Sequence, residues 1–435
     1  MMNLSSFGRR LLKEVAWSGF GNIAAALGML VGIRLLTETL PKEVYGTVSL
    51  LIGLITLGNN LFAAPLLQAA QRFYPEVVLS CGVPCLRCLI VNILKWSVGA
   101  LICLTLLGGA VYIRFNTISY MVFPVLAALL SVQVVRNLET SLMTAARRQK
   151  GVAIWDTVEA WAKPVLAVVL VFLLGATPQS VLLGYFIAVG GILLCFNLLP
   201  IQAEGKNVPN KQGEPDSKLL SNIRSYVIPF IPLAIVGWTV SLSDRYIIGG
   251  LLGVAEVGIY AASYGLISMP FLITSGAISQ ALRPLYFQSV SSKNKSLENK
   301  MFLIWFTATS SACLFGVVAV YHLRRWIAVC LLAEEYRSGT LLMPWIAAGI
   351  SFQVISQIFE NILFAYKQTS FVLLVHSVGA IVCVVSVVFL ISQFGLLGAA
   401  VACPVYYSIM LIISIILSRL VSKAGQRPQT TLRLC

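Results

Sequence analysis

The chain has 435 residues, of which 58% are hydrophobic and 11% are charged, and its mean hydropathy is +0.88. Soluble domains carry about 25% charged residues, so this composition excludes a soluble globular protein and indicates a polytopic membrane protein. The formal net charge is +15, but the basic residues are spread over many loops instead of one basic domain, which excludes nucleic acid as a partner.

Long apolar stretches recur along the whole chain, and many approach the roughly 20 residues that a helix needs to cross the hydrocarbon core. They are continuously apolar and do not alternate as the strands of a membrane barrel do, so we predict helices. In chain order the twelve predicted spans are 14–36, 44–70, 88–112, 118–143, 152–175, 179–200, 224–251, 257–287, 301–322, 340–365, 370–392 and 396–418.

The basic residues are divided unevenly between the two sides that these spans define. Most of the 31 Lys and Arg residues lie on the side of the N-terminus. By the positive-inside rule, both termini are therefore predicted in the cytoplasm. The connection between the ninth and tenth spans runs against the rule and is predicted as an interfacial helix. The basic residues of the other side are Arg34, Lys42, Arg114, Arg324, Arg325 and Arg337.

Three of the ten cysteines lie in the stretch "SCGVPCLRC", where Cys81, Cys85 and Cys88 have C-x3-C-x2-C spacing. That spacing holds an iron–sulfur cluster in radical enzymes, but there a large soluble barrel surrounds the cluster, whereas this loop joins two predicted membrane helices. The two histidines, His322 and His376, are distant in sequence. We therefore expect neither a metal site nor a cofactor.

One long polar stretch, "QAEGKNVPNKQGEPDSK" from Gln202 to Lys218, is rich in Pro, Gly, Asn, Lys and Glu and predicts a flexible cytoplasmic linker. It divides the predicted spans into two sets of six. We therefore predict an N-terminal six-helix bundle over residues 1–200, a linker over 201–222 and a C-terminal six-helix bundle over 223–435.

Two stretches indicate an internal repeat. "LLTETLPKEVYGTVSLL" begins at Leu35 and "IIGGLLGVAEVGIYAAS" begins at Ile247, and they align without gaps at an offset of 212 residues. Each has the pattern of a helix end, a short turn and the start of the next helix. Because six spans is an even number, the two halves would have the same topology and a pseudo-two-fold axis along the membrane normal.

The stretch "DRYIIGGLLGVAEVGIY" resembles the signature at the end of the seventh helix in polysaccharide flippases of the Wzx type, which belong to the multidrug/oligosaccharidyl-lipid/polysaccharide exporter superfamily. "RLLTETLPKEVYG" is similar to the end of that family's first helix, although Leu40 replaces a glycine often found there. "AEEYRSGTLLMPWIA" and "FGLLGAAVA" resemble the stretches before the tenth helix and at the start of the twelfth. The matching positions of the first stretch are Asp244, Arg245, Gly249, Gly253, Val257, Gly258 and Tyr260.

This resemblance implies two six-helix bundles around a central cavity, working by alternating access in the bacterial inner membrane. It implies a flippase whose partners are the lipid bilayer and an oligosaccharide linked to undecaprenyl diphosphate. A polysaccharide polymerase and a chain-length regulator are further candidate partners. We do not expect an enzyme, because the chain has no soluble domain, no phosphate-binding glycine loop that ends in Lys-Ser/Thr, and no metal-ligand cluster.

Polar residues recur at helical spacing inside the fourth, fifth and tenth spans, and such stripes should face the bundle interior or water. Arginine fits a diphosphate because its forked donors match phosphate oxygens. In the tenth span, Gln353 lies in the same stripe as two of the candidates, and Asn361 lies beside it. The candidate substrate-binding residues are Arg34, Arg136, Glu139, Asp156, Glu159, Lys163, Asp244, Arg245, Gln357 and Glu360.

Two interpretations of the charges inside the spans stay open. Arg136 either contacts the substrate or pairs with Asp156 or Glu159 and holds two helices together. Similarly, His376 in the eleventh span is either a proton relay or an interior histidine with its hydrogen bonds satisfied.

The charges near the ends of the first and seventh spans have the same two interpretations. Arg34 and Arg245 either bind the diphosphate together, or serve as interfacial anchors or as local partners of Glu38 and Asp244. Adjacent helix residues point about 100° apart, so we expect Asp244 and Arg245 to have different partners. Asp244 would then hold the seventh helix to a neighbour, while Arg245 faces the cavity.

Two other functions compete with a flippase. One is ion-coupled multidrug antiport, as in related exporters, whose mostly cationic substrates match an arginine-lined cavity poorly. The other is a non-transporting membrane scaffold for a polysaccharide assembly complex, in which charges inside the spans would serve no purpose.

Overall fold

The structure is a computed structural model, and it describes residues 4–80, 90–92, 94–95, 98–99, 102–103, 121–146, 148–198, 223, 225–228, 230–292 and 294–424. The regular secondary structure in these ranges is helical, and they contain no strand. The prediction of an all-α membrane protein is confirmed.

The helices of the first half follow one another through short turns. The second membrane span is one continuous rod, Lys42–Tyr74, that begins directly after Pro41 and contains a π-helical turn. The helix Gln149–Leu174 is followed by Gly175, whose φ of +93° is a conformation that glycine adopts without strain. The elements are α1 (Leu4–Thr39), α2 (Lys42–Gly58), the π-helix (Asn59–Ala63), α3 (Ala64–Ser80), α4 (Val122–Ala145), α5 (Gln149–Leu174) and α6 (Pro178–Leu198).

The second half has longer helices and a short 3₁₀-helix. Gly253 and Gly395, with φ of +105° and +57°, form two of its turns. Asn294 starts the ninth helix, because its side chain accepts the backbone N–H of Leu297 at 3.1 Å. The elements are α7 (Phe230–Leu251), α8 (Val254–Ser291), α9 (Lys295–Leu331), the 3₁₀-helix (Glu334–Leu341), α10 (Met343–Ala365), α11 (Thr369–Phe394) and α12 (Leu396–Ala424).

The described ranges contain 11 helices that are long and apolar enough to cross a membrane. They correspond in order to all the predicted spans except the third. Most of that span, 88–112, lies outside the described residues, as do the predicted linker and the C-x3-C-x2-C stretch. The ninth span is longer than its predicted limits of 301–322, because α9 continues past the apolar stretch at both ends. A 3₁₀-helix does follow α9, at the connection predicted to be helical.

The chain divides into two compact units, Met1–Trp238 and Thr239–Cys435. The division falls within α7. The predicted linker, 201–222, precedes this point and lies outside the described residues, so the predicted domain limits stay a prediction.

In the first unit, α1 packs closely along α5 through glycines. A Cβ atom placed on Gly21, Gly28 or Gly32 would lie only 2.6 to 2.9 Å from side-chain atoms of α5. Trp161 of α5 also donates its indole N–H to the Ala24 carbonyl oxygen at 3.0 Å. These contacts fix α5, and with it the charged residues that α5 carries, against a neighbouring span.

The units share a repeated helix pair. Both ends of α5, Gln149 and Leu174, recur 220 residues later as the ends of α11, Thr369 and Phe394. The preceding helices, α4 and α10, end four residues before these starts. In each unit the two paired helices contact each other sparsely, and both pack against the helix that follows, α6 or α12; α5 also packs extensively against α1.

Candidate functional site

Arg136 joins α4 to α5 through two carboxylates. Its Nε donates to Oε2 of Glu159 at 2.5 Å, and its Nη2 donates to Oδ1 of Asp156. The side chains of Arg136 and Glu159 are 14% and 7% exposed, whereas that of Asp156 is 39% exposed. The guanidinium therefore has one enclosed partner and one partner at an open edge.

Lys163 completes this group one helical turn after Glu159. Its Nζ lies 2.6 Å from Oε1 of Glu159 and donates to Oε1 of Gln133 at 3.4 Å. Glu159 thus lies between two cations. With Asp156, the four charged groups carry no net formal charge, which lowers a cost that is about 2.5–3.5 kcal/mol for each unpaired charge at the centre of a membrane helix. We call Arg136, Asp156, Glu159 and Lys163 the α4–α5 network.

The polar face of α4 continues beyond the network towards the second span. Asn137 donates to Oδ1 of Asn59, the first residue of the π-helix, at 2.9 Å. One turn later, Ser141 donates to the Leu67 carbonyl oxygen and accepts a hydrogen bond from Gln71, both at 3.0 Å. π-helical turns occur often at functional sites, because they redirect side chains and carbonyl groups.

The structure thus brings together four of the candidate residues. Pairing of Arg136 with both carboxylates, one of the two interpretations left open, is what the structure contains. Glu139 is buried on α4, three residues after Arg136. The sequence spacing of Asp156, Glu159 and Lys163 predicted that they lie on one face of the fifth span. Their contacts with one another and with Arg136 agree with this.

The remaining cationic candidates lie near the ends of α1 and α7. Nη2 of Arg34 lies 2.8 Å from Oε2 of Glu38, one turn later on α1. Arg245 holds its guanidinium carbon 5.6 Å from the ring centroid of Tyr264, within the range of a cation–π contact. The structure thus contains the local pair of Arg34 with Glu38, which was one of the interpretations of Arg34.

Asp244 is 2% exposed and fastens α7 to α8. The Tyr260 hydroxyl donates to Oδ2 of Asp244 at 2.6 Å, and the Arg245 backbone N–H donates to Oδ1 at 2.8 Å. Asp244 thus links the seventh span to the eighth, whereas the sequence predicted only an unspecified neighbouring helix. From the sequence, Tyr260 was named only as part of a motif; its place near the start of α8, six residues after Val254, was the signal that it could reach the end of α7.

In the second unit, Glu360 of α10 pairs with His376 of α11, with Oε2 and Nε2 3.1 Å apart. Ser356 donates to Oε1 of Glu360 at 3.1 Å and lies 3.0 Å from the Ser414 hydroxyl of α12. Gln357 is exposed, so it does not share the enclosed surroundings of Glu360. Sequence reasoning named both members of the pair but did not join them.

No group of three or more His, Cys, Asp or Glu side chains suited to a metal ion occurs among the residues that the structure describes. Cys81, Cys85 and Cys88 lie outside them.

Residues 11–290 match the family model described as "Polysaccharide biosynthesis protein". The chain belongs to this family. The predicted membership of a polysaccharide biosynthesis family is thereby confirmed. No curated protein sequence matches the chain.

Several solved structures share the fold of this family member. The lipid II flippase MurJ, in an inward closed conformation, aligns with a TM-score of 0.72 at 11% identity over 94% of this chain and 87% of its own. An inward-facing multidrug resistance MATE transporter of the MOP superfamily aligns with a TM-score of 0.70 at 12% identity, over 95% and 96% of the two chains. A MOP superfamily transporter from Pyrococcus furiosus aligns with a TM-score of 0.60 at 11% identity, over 94% and 97%. The chain therefore shares its fold with these proteins.

Proposed function

We propose that the chain is a flippase that moves an oligosaccharide linked to undecaprenyl diphosphate from the cytoplasmic to the outer leaflet of the bacterial inner membrane. Membership of a polysaccharide biosynthesis family supports the substrate class, and a structural neighbour named as a lipid II flippase supports the type of transport. The observation that carries the proposal is the ion pair of Arg136 with Asp156, which is open on the side of the aspartate.

A diphosphate is a chemical substitute for the exposed carboxylate in this pair. Both groups offer two oxygens to a guanidinium, and a planar guanidinium accepts either in a forked arrangement. Asp156, at 39% exposure, can leave towards water at small cost, while Glu159 stays enclosed between Arg136 and Lys163. The network would then carry one net positive charge facing the bound diphosphate.

The exchange of Asp156 and the diphosphate on Arg136 also favours release of the substrate. Asp156 returns to Arg136 when the diphosphate leaves, so the site never holds an unpaired buried arginine, and the large cost of such a charge never opposes release. The membrane potential adds a direction, because each negative charge moved outward gains about 2.3 kcal/mol per 100 mV.

The same proposal assigns orientation and partners. The excess of Lys and Arg on the side of the N-terminus supports cytoplasmic termini. The delivered glycan must next be consumed by a transfer reaction at the outer leaflet, which is the reaction class of a polysaccharide polymerase acting with a chain-length regulator.

The test measures the amount of glycan on the outer leaflet of cells whose surface polysaccharide depends on this chain. All variants are compared at the same protein level in the membrane. We expect Arg136→Ala to lower export about 10- to 100-fold, the equivalent of the 1.5–3 kcal/mol of a charged hydrogen bond. Arg136→Lys should retain part of the activity, because a point charge replaces the fork. Asp156→Asn should still bind the substrate but export it more slowly, since it removes the anion that replaces the diphosphate on release.

A cation elsewhere provides the matched control. Arg283 is exposed on α8 and lies over Phe287, so Arg283→Gln removes a charge without touching the network. The control should export normally. Normal export by Arg136→Ala overturns the proposal, and efflux of cationic dyes that depends on Asp156 would favour the multidrug antiporter instead.

A further inference from the structure

The repeated helix pairs carry polar bridges at matching positions. Asp156 is the eighth residue of α5, and His376 is the eighth residue of α11. Each lies opposite a charged residue of the preceding helix, Arg136 on α4 or Glu360 on α10. Because the paired helices otherwise meet sparsely, each bridge is a main polar link between its two helices.

The two bridges differ in the permanence of their charges. Arginine stays protonated at any physiological pH, so the α4–α5 network keeps its cation. Histidine ordinarily changes its charge between about pH 5 and 8. The second bridge can therefore exist either as a neutral imidazole beside a carboxylate or as an imidazolium–carboxylate ion pair.

The surroundings of His376 leave a place for the added proton. With Nε2 facing Oε2 of Glu360, a neutral ring donates through Nε2–H and carries its lone pair on Nδ1. Nδ1 is buried, and no hydrogen-bond partner for it occurs among the described residues. The side chain of His376 is 24% exposed, against 8% for Glu360, so the histidine is the more accessible end of the pair.

On the side away from His376, a chain of hydrogen bonds holds the carboxylate of Glu360. Ser356 donates to Oε1 of Glu360 and contacts the fully buried Ser414. Glu360 is therefore fixed by α10 and α12, and protonation of His376 changes chiefly the strength of the link to α11.

Other charged groups of the second unit are engaged elsewhere or do not reach the pair. Glu298 of α9 pairs with Lys295 and accepts the Tyr366 hydroxyl at 3.0 Å, and Asp244 of α7 is held by Tyr260. Within the described part of the unit, none of the titratable or charged groups on the elements around α10 and α11 makes a hydrogen bond or ion pair with Glu360 or His376. These groups are Asp244, Arg245, Tyr246, Glu256, Tyr260, Tyr264, Arg283, Tyr286, Lys295, Glu298, Lys300, Cys313, Tyr321, His322, Arg324, Arg325, Cys330, Glu334, Glu335, Tyr336, Arg337, Tyr366, Lys367, Cys383, Cys403, Tyr406, Tyr407 and Arg419.

We propose that Glu360 and His376 form a proton-binding site, in which the partly exposed ring of His376 takes up one proton from water and holds it on Nδ1. Uptake converts a neutral–anionic hydrogen bond into an ion pair and tightens the contact between α10 and α11. Loss of the proton loosens it. The consequence for transport rests on the proposed flippase function: the bound proton holds the helix pair and slows the transport cycle.

Proton binding can be measured without transport. The full chain has only two histidines, so solid-state NMR of ¹⁵N-histidine-labelled protein in lipid vesicles gives two sets of ring signals, and His376→Gln identifies them. We expect His376 to be the Nε2–H tautomer at high pH and to gain a proton on Nδ1 when the pH of the sample is lowered from about 8 to about 5, the range over which histidine ordinarily changes its charge. His322, exposed on α9, is the internal reference. An Nδ1–H tautomer at high pH, or no protonation over that range, overturns the proposal.

Transport provides the second measurement. Export by the wild type should fall several-fold as the pH is lowered over the same range. His376→Gln and Glu360→Gln should lose this pH dependence, His376→Arg should be slow at every pH because its charge is permanent, and His322→Gln should behave as the wild type. If Glu360→Gln does not accumulate, the His376 variants still decide the result, and pH dependence that persists in them overturns the proposal.

The two measurements separate failures of the two proposals. If NMR detects the predicted proton but no variant or wild type exports glycan, the flippase function falls while the proton site stands. If glycan is exported but His376 keeps one protonation state, the proton site falls while the flippase function stands.

Discussion

The helix pairs α4–α5 and α10–α11 have matching lengths, a connection of the same length and the same sparse mutual packing. They differ in how their buried charges are neutralised. The first holds two permanent cations, and each has a carboxylate partner. The second holds one carboxylate, which contacts a histidine and accepts a hydrogen bond from a serine. One architecture therefore supports either a fixed charge network or a bridge with two protonation states.

This difference follows from what each residue costs when its partner is absent. An arginine or lysine in a membrane helix cannot become neutral cheaply, so it requires an anion at all times. A histidine can release its proton and remain hydrogen-bonded, so its link can weaken without leaving a bare cation. We infer that the first pair is suited to exchanging one anion for another, and the second to exchanging a proton.

The largest expected effect is the loss of the carboxylate from each bridge. Glu159→Gln leaves Lys163 without an anion and Arg136 with only the exposed Asp156. Breaking a buried pair typically costs about 3–5 kcal/mol. Glu360→Gln leaves a neutral histidine, so the cost should be nearer the 1–3 kcal/mol of an unsatisfied polar group. Thermal unfolding of the purified variants in detergent at pH 8 should therefore separate them.

A second substitution sharpens this test. Lys163→Gln added to Glu159→Gln removes the unpaired cation and should recover part of the lost unfolding temperature. Equal losses for Glu159→Gln and Glu360→Gln, or no recovery in the double variant, would show that the charge of the network does not determine its stability.

The sequence predicted the charged faces better than their partners. The spacing of Asp156, Glu159 and Lys163 placed them on one face of α5, because helical periodicity is a local property. It could not decide whether Gln357 and Glu360, three residues apart on α10, have the same surroundings. That depends on where α11 and α12 lie, and packing turns Glu360 inward while Gln357 stays exposed.

The ends of the spans show the same limit. Hydropathy detects the apolar part of a helix, so it shortened α9, whose polar first turn is specified by the Asn294 cap instead. The fold class, by contrast, depends on many long apolar stretches at once, and an error at any single boundary leaves it unchanged.

A smaller effect is expected at the link between α7 and α8, where the anion has a neutral partner. Tyr260→Phe removes one of the hydrogen bonds to the buried Asp244 and should lower stability by about 1–3 kcal/mol. Arg245→Ala, by contrast, should leave the unfolding temperature nearly unchanged and abolish export, if its guanidinium over Tyr264 serves the diphosphate. Arg245→Lys should recover export only partly, because a point charge lacks the fork and stacks less well.

Unfolding temperature and export at matched protein level distinguish these roles. Should Arg245→Ala and Asp244→Ala both export normally, the pair is an interfacial anchor. A drop in stability for Arg245→Ala as large as that for Tyr260→Phe would instead assign both residues to holding α7 against α8.

The smallest effect on stability is expected for Arg34 and Glu38, which pair on α1 with side chains 31% and 59% exposed. Exposed ion pairs contribute about 0–1 kcal/mol, because water solvates both charges when they separate. Glu38→Gln should therefore change neither the unfolding temperature nor export. Arg34→Ala should also unfold as the wild type does, yet lower export if Arg34 binds the diphosphate near the end of its helix. Both quantities are measured on the same preparations, with Glu38→Gln as the control that breaks the pair and keeps the cation. Equal export losses in the two variants would mean that the pair itself, rather than the free arginine, is required, and the contrast between buried bridges and exposed cations would then no longer hold.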